Sequence, residues 1–310
     1  MKKRNIDTSK LDGKRLYYSF LAGAQRIFDN QGLLNKINVF PVRDADTGTN
    51  LASTMRSIVD TFIPTDSFSV TANALADAAL VGARGNSGII FAQFLYGFSS
   101  SFENEKEIDV KKFSIAISNG VTKSYEAISN PVEGTMITVL REWAEGIQSL
   151  KDKIDDFNQL ITESYHSAKE SLANTPNLLE VLAKANVVDA GAKGFVVFLE
   201  GMIDFFKHGE LKKILNARNI VKELGIEGTH DHENANFRYC TEAMITADHI
   251  DRDKLKSKIE HFGDSLVIAG SPKKMRLHIH TDTPDKLFTK ISRFGSITFQ
   301  KVEDMGMQMD

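Results

Sequence analysis

The apolar residues of this chain keep one period up to about residue 208 and another after residue 236. In the first stretch they recur three and four apart. Leu16, Phe20, Leu21, Ala24, Ile27 and Phe28 form one stripe, and Leu51, Met55, Ile58, Val59 and Phe62 another. Similar stripes run through 110–128, 136–150, 154–172 and 195–206. Such spacing gives a helix one apolar face that must be buried against other helices. About eight or nine helices and no strand are predicted there, hence a large helical bundle. After the change, "FRYCTEAMIT", "SLVIAG", "MRLHIHT" and "SITFQKV" read as strands, while "DRDKLKSKIEHFG" and "PDKLFTKISRFG" keep helical spacing. That β-α-β-β-α-β order predicts a small ferredoxin-like domain. The chain is therefore read as α+β: a helical domain over 1–210, a polar linker over 211–235, and an α/β domain over 236–310.

Charge and composition exclude some classes. The 310 residues carry a formal net charge of −3, so no basic field favours nucleic acid. The start "MKKRNIDTSK" is not followed by an apolar run, as a secretory signal would be. The stretch "GFVVFLEGMIDFF" is broken by Glu200 and Asp204 and falls short of the roughly 20 apolar residues of a bilayer span. One cysteine, Cys240, permits no internal disulfide. A soluble, cytoplasmic protein is expected.

The stretch "NVFPVRDADTGTN" (38–50) places Asp44 and Asp46 one residue apart, just before a helical pattern resumes. Asp, Gly, Thr and Asn are turn and cap residues, and a plain loop into a helix accounts for them. A calcium loop does not fit, because its sixth position would be Thr49 and its twelfth Met55. Magnesium held for a nucleotide also fits: it binds through one or two carboxylates plus phosphates. Thr47, Gly48 and Thr49 would let backbone N–H groups approach phosphate, and the helix starting near Asn50 would add its positive end. Three more Gly-containing stretches open helices: "GARGNSG" (82–88), "EGT" (133–135) and "VVDAGAKG" (187–194). The four could meet at one rim. There is no GxxxxGK[ST] pattern, so a P-loop is excluded.

In the second domain, alternation puts Arg238, Cys240 and Glu242 on one strand face, and Arg276, His278 and His280 on one face of another. If the first and third strands pair, Cys240, His278 and His280 meet. They are then either ordinary solvent-face residues or a zinc set completed by Glu242 or water. His230 and His232, in the polar linker, are read as solvated.

Four stretches, "NVFPVRDADTGTN", "GARGNSGIIFAQ", "PVEGTMITVLRE" and "TPNLLEVLAKANVVDAGAKGF", resemble in that order the nucleotide-binding domain of the dihydroxyacetone kinase family. More closely, they resemble the amino-terminal domain of bacterial fatty acid kinase, ATP-binding component. The resemblance implies an eight-helix barrel, like the dihydroxyacetone kinase L subunit, with ATP and two Mg²⁺ at one rim. It implies that Asp44 and Asp46 hold the metals and that Asn38 adds a ligand or orients the loop. Thr47, Gly48, Thr49 and Asn50 would lie beside the phosphates, with Asn86, Ser87 and Gly88 on a second phosphate-side loop. Thr135, Asp189 and Gly191 would lie on the nucleotide side. The family reads Pro-Asp-Gly-Asp where this chain has Arg43, Asp44, Ala45 and Asp46. Arg43 lacks proline's fixed φ, and Ala45 adopts positive φ less readily than glycine.

"YCTE", "GDSLVIAG" and "HIHTDTP" resemble the middle domain of the same kinase, implying Zn²⁺ at Cys240, His278 and His280. The implied activity is ATP-dependent phosphorylation of a fatty acid presented by a separate fatty-acid-binding protein, feeding phospholipid synthesis. An ionised carboxylate acceptor needs no strong general base, which suits motifs without histidine. A dihydroxyacetone-like hydroxyl acceptor, and a nucleotide- or zinc-sensing module without turnover, are the competing expectations. Relatives are expected to continue into a carboxyl-terminal domain that engages the carrier, making this a shortened chain or a shorter relative. A homodimer stays open.

Overall fold

A computed structural model describes residues 7–61, 64–208 and 237–305. The linker histidines His230 and His232 lie outside the described residues. The first domain runs through α1 (Gly13–Lys36), α2 (Thr47–Thr61), α3 (Phe68–Gly82), α4 (Gly85–Ser99), α5 (Val110–Ala127), α6 (Met136–Leu150), α7 (Phe157–Leu178), the six-residue α8 (Glu180–Ala185) and α9 (Ala190–His208). Four of these helices start on a side-chain cap. Asp12, Ser67, Asp109 and Asp156 accept from the N–H three residues on, which satisfies a donor the helix itself leaves unpaired.

Successive helices pack on one another from α1 through α7, α9 packs on α7, and α9 returns to lie along α1. The circuit encloses an aromatic core. Phe198 meets Phe20 and Phe91 edge-on at 5.0 and 5.2 Å, and Trp143 meets Phe195 at 5.3 Å. Trp143 Nε1 donates to the Ser164 hydroxyl at 3.1 Å, so its polar atom is not stranded in that core. The first domain also holds strands, contrary to expectation: β1 (Leu11–Asp12) pairs antiparallel with β2 (Glu107–Ile108). Two residues per strand are too few to show alternation.

The small domain follows the expected order: β3 (Tyr239–Thr246), α10 (Arg252–Ile259), β4 (Gly263–Ser271), β5 (Lys274–Thr281), α11 (Pro284–Ile291) and β6 (Ser296–Asp304). The sheet order is β4-β5-β3-β6, and every pairing is antiparallel. Its first and third strands are thus neighbours, with Cys240 opposite His280 and Glu242 opposite His278. On one face Ala243, Ile245, Met275, Leu277 and Ile279 pack on Leu255 and Ile259 of α10 and Leu287 and Ile291 of α11.

The other face is not a solvent face. It lies against α4 and the loops at either end of the α3–α5 segment. Gly270 N–H donates to Gln93 Oε1 at 2.7 Å, Ser129 N–H to Leu266 O at 3.3 Å, and Ile128 bridges Val267. Val267 and Ala269 join the apolar core of the helical domain. At the rim, Arg252 pairs with Glu126 at 2.9 Å. No described helix is long and apolar enough to cross a membrane.

Candidate active site

The loop before α2 carries the carboxylate pair. Asp46 directly precedes the helix, and its carbonyl accepts from Asn50 N–H at 2.8 Å. The side-chain amide of Asn38, itself buried, donates to Asp44 Oδ1. Burial raises the Asp44 carboxyl above its usual range, against hydrogen bonds from Asp46, the local backbone and Asn38. Two carboxylates so placed favour a bound cation.

Ala45, between them, has φ +52°. That left-handed geometry costs a residue with a Cβ roughly 1 kcal/mol relative to glycine. Ala45→Gly should therefore raise stability by up to about 1 kcal/mol. Thermal unfolding checks it, and an unchanged or lowered midpoint would contradict it.

Asn38, Asp44, Asp46, Thr47 and Asn50 line a cleft of about 480 Å³ whose far wall comes from the sheet: Cys240, His278, His280 and Glu303. The two sites expected separately from sequence thus face one space. Phe40, Pro41, Asn86 and Ser87 line it too, and the same four residues wall a second cleft of about 830 Å³ including its open mouth. Thr135, Asp189 and Gly191 line this second cleft, with apolar Ile90, Ile128, Val132, Met136, Leu266 and Val267. Asn86 Oδ1 is buried without a hydrogen-bond partner where the clefts meet.

Three expected residues sit differently. Gly48 packs on α1, where a Cβ would lie 2.2 Å from Gln31 O. The Thr49 hydroxyl accepts from Gln31 and Asn35, and its N–H donates to Asn35 Oδ1 at 3.0 Å. Gly88 packs on α2, where a Cβ would meet the Thr54 hydroxyl at 2.6 Å. None of the three lines either cleft. Close helix packing and close phosphate approach both ask for glycine, and sequence alone cannot separate them.

Asp189 is buried at the start of α9, with Oδ1 accepting from Ala192 N–H at 2.7 Å and its own N–H donating to Thr175 Oγ1 at 3.1 Å. Burial pushes its carboxyl from 3.8 up to about 6, against the N–H groups of Ala192 and Met136. The carboxyl's contribution to stability is thus full below pH 3.8 and is lost as pH rises through about 6. Asp189→Asn keeps the acceptor but not the charge. It should gain on the wild type across that window, by roughly 3 kcal/mol at pH 7. Urea unfolding at pH 4 and pH 7 measures it; a difference that does not grow with pH would contradict the assignment.

On the sheet side, one donor atom each from Cys240, His278 and His280 lies within 4.8 Å of the others. Cys240 Sγ is 3.7 Å from His278 Nδ1, and the two imidazole Nε2 atoms are 3.2 Å apart. Burial, with Glu242 and Glu303 nearby, pushes the Cys240 thiol up. Burial, with His280 beside it, lowers His278 against the pull of Glu242. Asp46 also acts on both groups through its charge. A thiolate and two neutral imidazoles suit zinc, whereas the oxygen donors across the cleft suit magnesium.

Glu242 is not placed as a fourth ligand. Its Oε2 accepts from Arg276 at 2.7 Å and its Oε1 from Gly85 N–H at 2.9 Å. Burial would raise this carboxyl, but His278, Arg276 and Gly85 N–H outweigh it and hold it at about 2. Sequence reasoning missed Glu303, Leu266 and the 128–132 loop as cleft walls. Only the alternation of β6 put Glu303 within reach.

Residues 41–204 match the DAK2 domain, and residues 236–310 match the FakA-like middle domain of fatty acid kinase. An uncharacterized protein of Staphylococcus epidermidis is 34% identical over 313 residues, covering 97% of this chain and 56% of its own length. Protein YloV of Bacillus subtilis is 34% identical over 314 residues, covering 96% of this chain and 56% of its own. The chain therefore spans just over half the length of these relatives. The solved dihydroxyacetone kinase of C. freundii is similar over 66% of this chain and 37% of its own, at 14% identity and a TM-score of 0.49. With the first match spanning more than half of its residues and the second following in sequence after the linker, this chain belongs to the DAK2-domain family and carries the FakA-like middle domain of fatty acid kinase.

Proposed function

We propose that this chain is the ATP-dependent kinase component that phosphorylates a fatty acid held by a separate fatty-acid-binding protein. One observation carries the reading. Residues from four distant sequence stretches wall two joined clefts, one with apolar walls and room for a nucleoside, the other lined by Asp44 and Asp46. The helical circuit supports the eight-helix-barrel reading, and the strand order supports the ferredoxin-like one.

In this reading the base lies among Ile128, Val132 and Leu266, and the phosphates point past Asn86 and Ser87 towards the carboxylate pair. Asp44 and Asp46 would hold Mg²⁺, which neutralises phosphate charge as the γ-phosphoryl group moves. Cys240, His278 and His280 would hold Zn²⁺, which supplies a fixed positive charge on the acceptor side. A carboxylate oxygen of the fatty acid forms the new P–O bond, the bond to the β-phosphate oxygen breaks, and ADP leaves. The acceptor arrives ionised, so no proton has to be removed. The strained Ala45 favours a second reading, a nucleotide-binding module without turnover.

ADP release separates the two. The protein with Mg·ATP and a lipid-loaded carrier should form ADP and acyl phosphate in equal amounts. ADP formed with dihydroxyacetone but not with loaded carrier would move the acceptor to a small hydroxyl compound. No ADP with either would leave the sensing reading.

A further inference from the structure

Helix α4 begins without a cap of its own. Arg84, at its N-cap position, makes no side-chain capping bond. The first N–H of the helix, on Gly85, instead donates to Glu242 Oε1, 157 residues away on β3. The second Glu242 oxygen accepts from Arg276 Nη2, and Arg276 Nη1 donates to Val81 O at 3.2 Å near the end of α3. Two paired side chains of the sheet thus grip both sides of the α3–α4 turn. Both are nearly out of contact with solvent, at 3% and 2% exposure. On its other side the turn is backed by Asn50: Gly85 has φ +55°, and a Cβ there would lie 2.2 Å from Asn50 Nδ2. The next two residues are Asn86 and Ser87, which wall both clefts.

We propose that Glu242 is a positioning residue for the nucleotide site, capping α4 from the small domain and so fixing where Asn86 and Ser87 stand. A carboxylate at that helix start would by itself repel phosphate; Arg276 offsets its charge, leaving the acceptor without the repulsion. Nucleotide affinity of the helical domain then depends on docking of the sheet. This rests on reading Asn86 and Ser87 as phosphate-side.

Removing Glu242 alone would strand Arg276 as a buried, unpaired charge and threaten the fold. Two double variants avoid that. Glu242→Gln with Arg276→Met keeps an oxygen for Gly85 N–H; Glu242→Leu with Arg276→Met removes it. Both lack the ion pair, so they differ in the cap. In the second, deuterium exchange at residues 85–87 should be about tenfold faster than in the first. Its Mg·ATP affinity by calorimetry should be about tenfold weaker, with kcat at saturating ATP the same in both. Equal exchange and equal affinity in the two would overturn the proposal and leave the kinase reading standing. A wild-type protein that binds no Mg·ATP would overturn both.

Discussion

Asp46→Asn should abolish most turnover while leaving the fold intact. Losing one of two carboxylates at the magnesium site removes several kcal/mol of charge stabilisation, which is more than about a hundredfold in rate. Asparagine is as good a helix cap as aspartate, so α2 should start where it does now. Mg·ATP binding by calorimetry and far-ultraviolet circular dichroism read the two effects separately. Unchanged Mg·ATP affinity in the variant would remove Asp46 from the site; lost helicity would make its role structural.

Zinc is the second large effect. Protein purified without a histidine tag should contain about one zinc per chain. Cys240→Ser and His278→Ala should each lose most of it, since two ligands do not hold what three do. His230→Ala and His232→Ala should lose none. Elemental analysis decides it. Zinc near zero in the wild type, or retained in Cys240→Ser, would return the three residues to a packed sheet face with no metal.

Much of this site can be read from the sequence because strand periodicity is strict. Once "YCTE" and "HIHT" are strands, Cys240 and Glu242 share a face, as do Arg276, His278 and His280, and adjacent strands bring them together. Helix starts are equally clear, since Asp12, Asp109 and Asp156 announce themselves as caps. What the sequence does not carry is the partner of a buried face. Glu242 reads as a spare ligand, because nothing near it in sequence points to Gly85. Gly48 and Gly88 read as phosphate-side, because the helices that fill their missing Cβ space come from elsewhere in the chain. Ala45 is the reverse case. Its neighbours alone mark a position where glycine would fit better, and its φ of +52° agrees.

If the carboxylate pair and the Cys-His cluster serve one cleft, nucleotide and zinc must be found there together. A crystal grown with Mg²⁺ and a non-hydrolysable ATP analogue, measured at the zinc absorption edge, tests this. An anomalous peak is expected between Cys240, His278 and His280, with the terminal phosphate over Asp44 and Asp46 in the same cleft and the base beside Ile128 and Leu266. A nucleotide bound elsewhere, or a cleft left empty at saturating analogue, would contradict it.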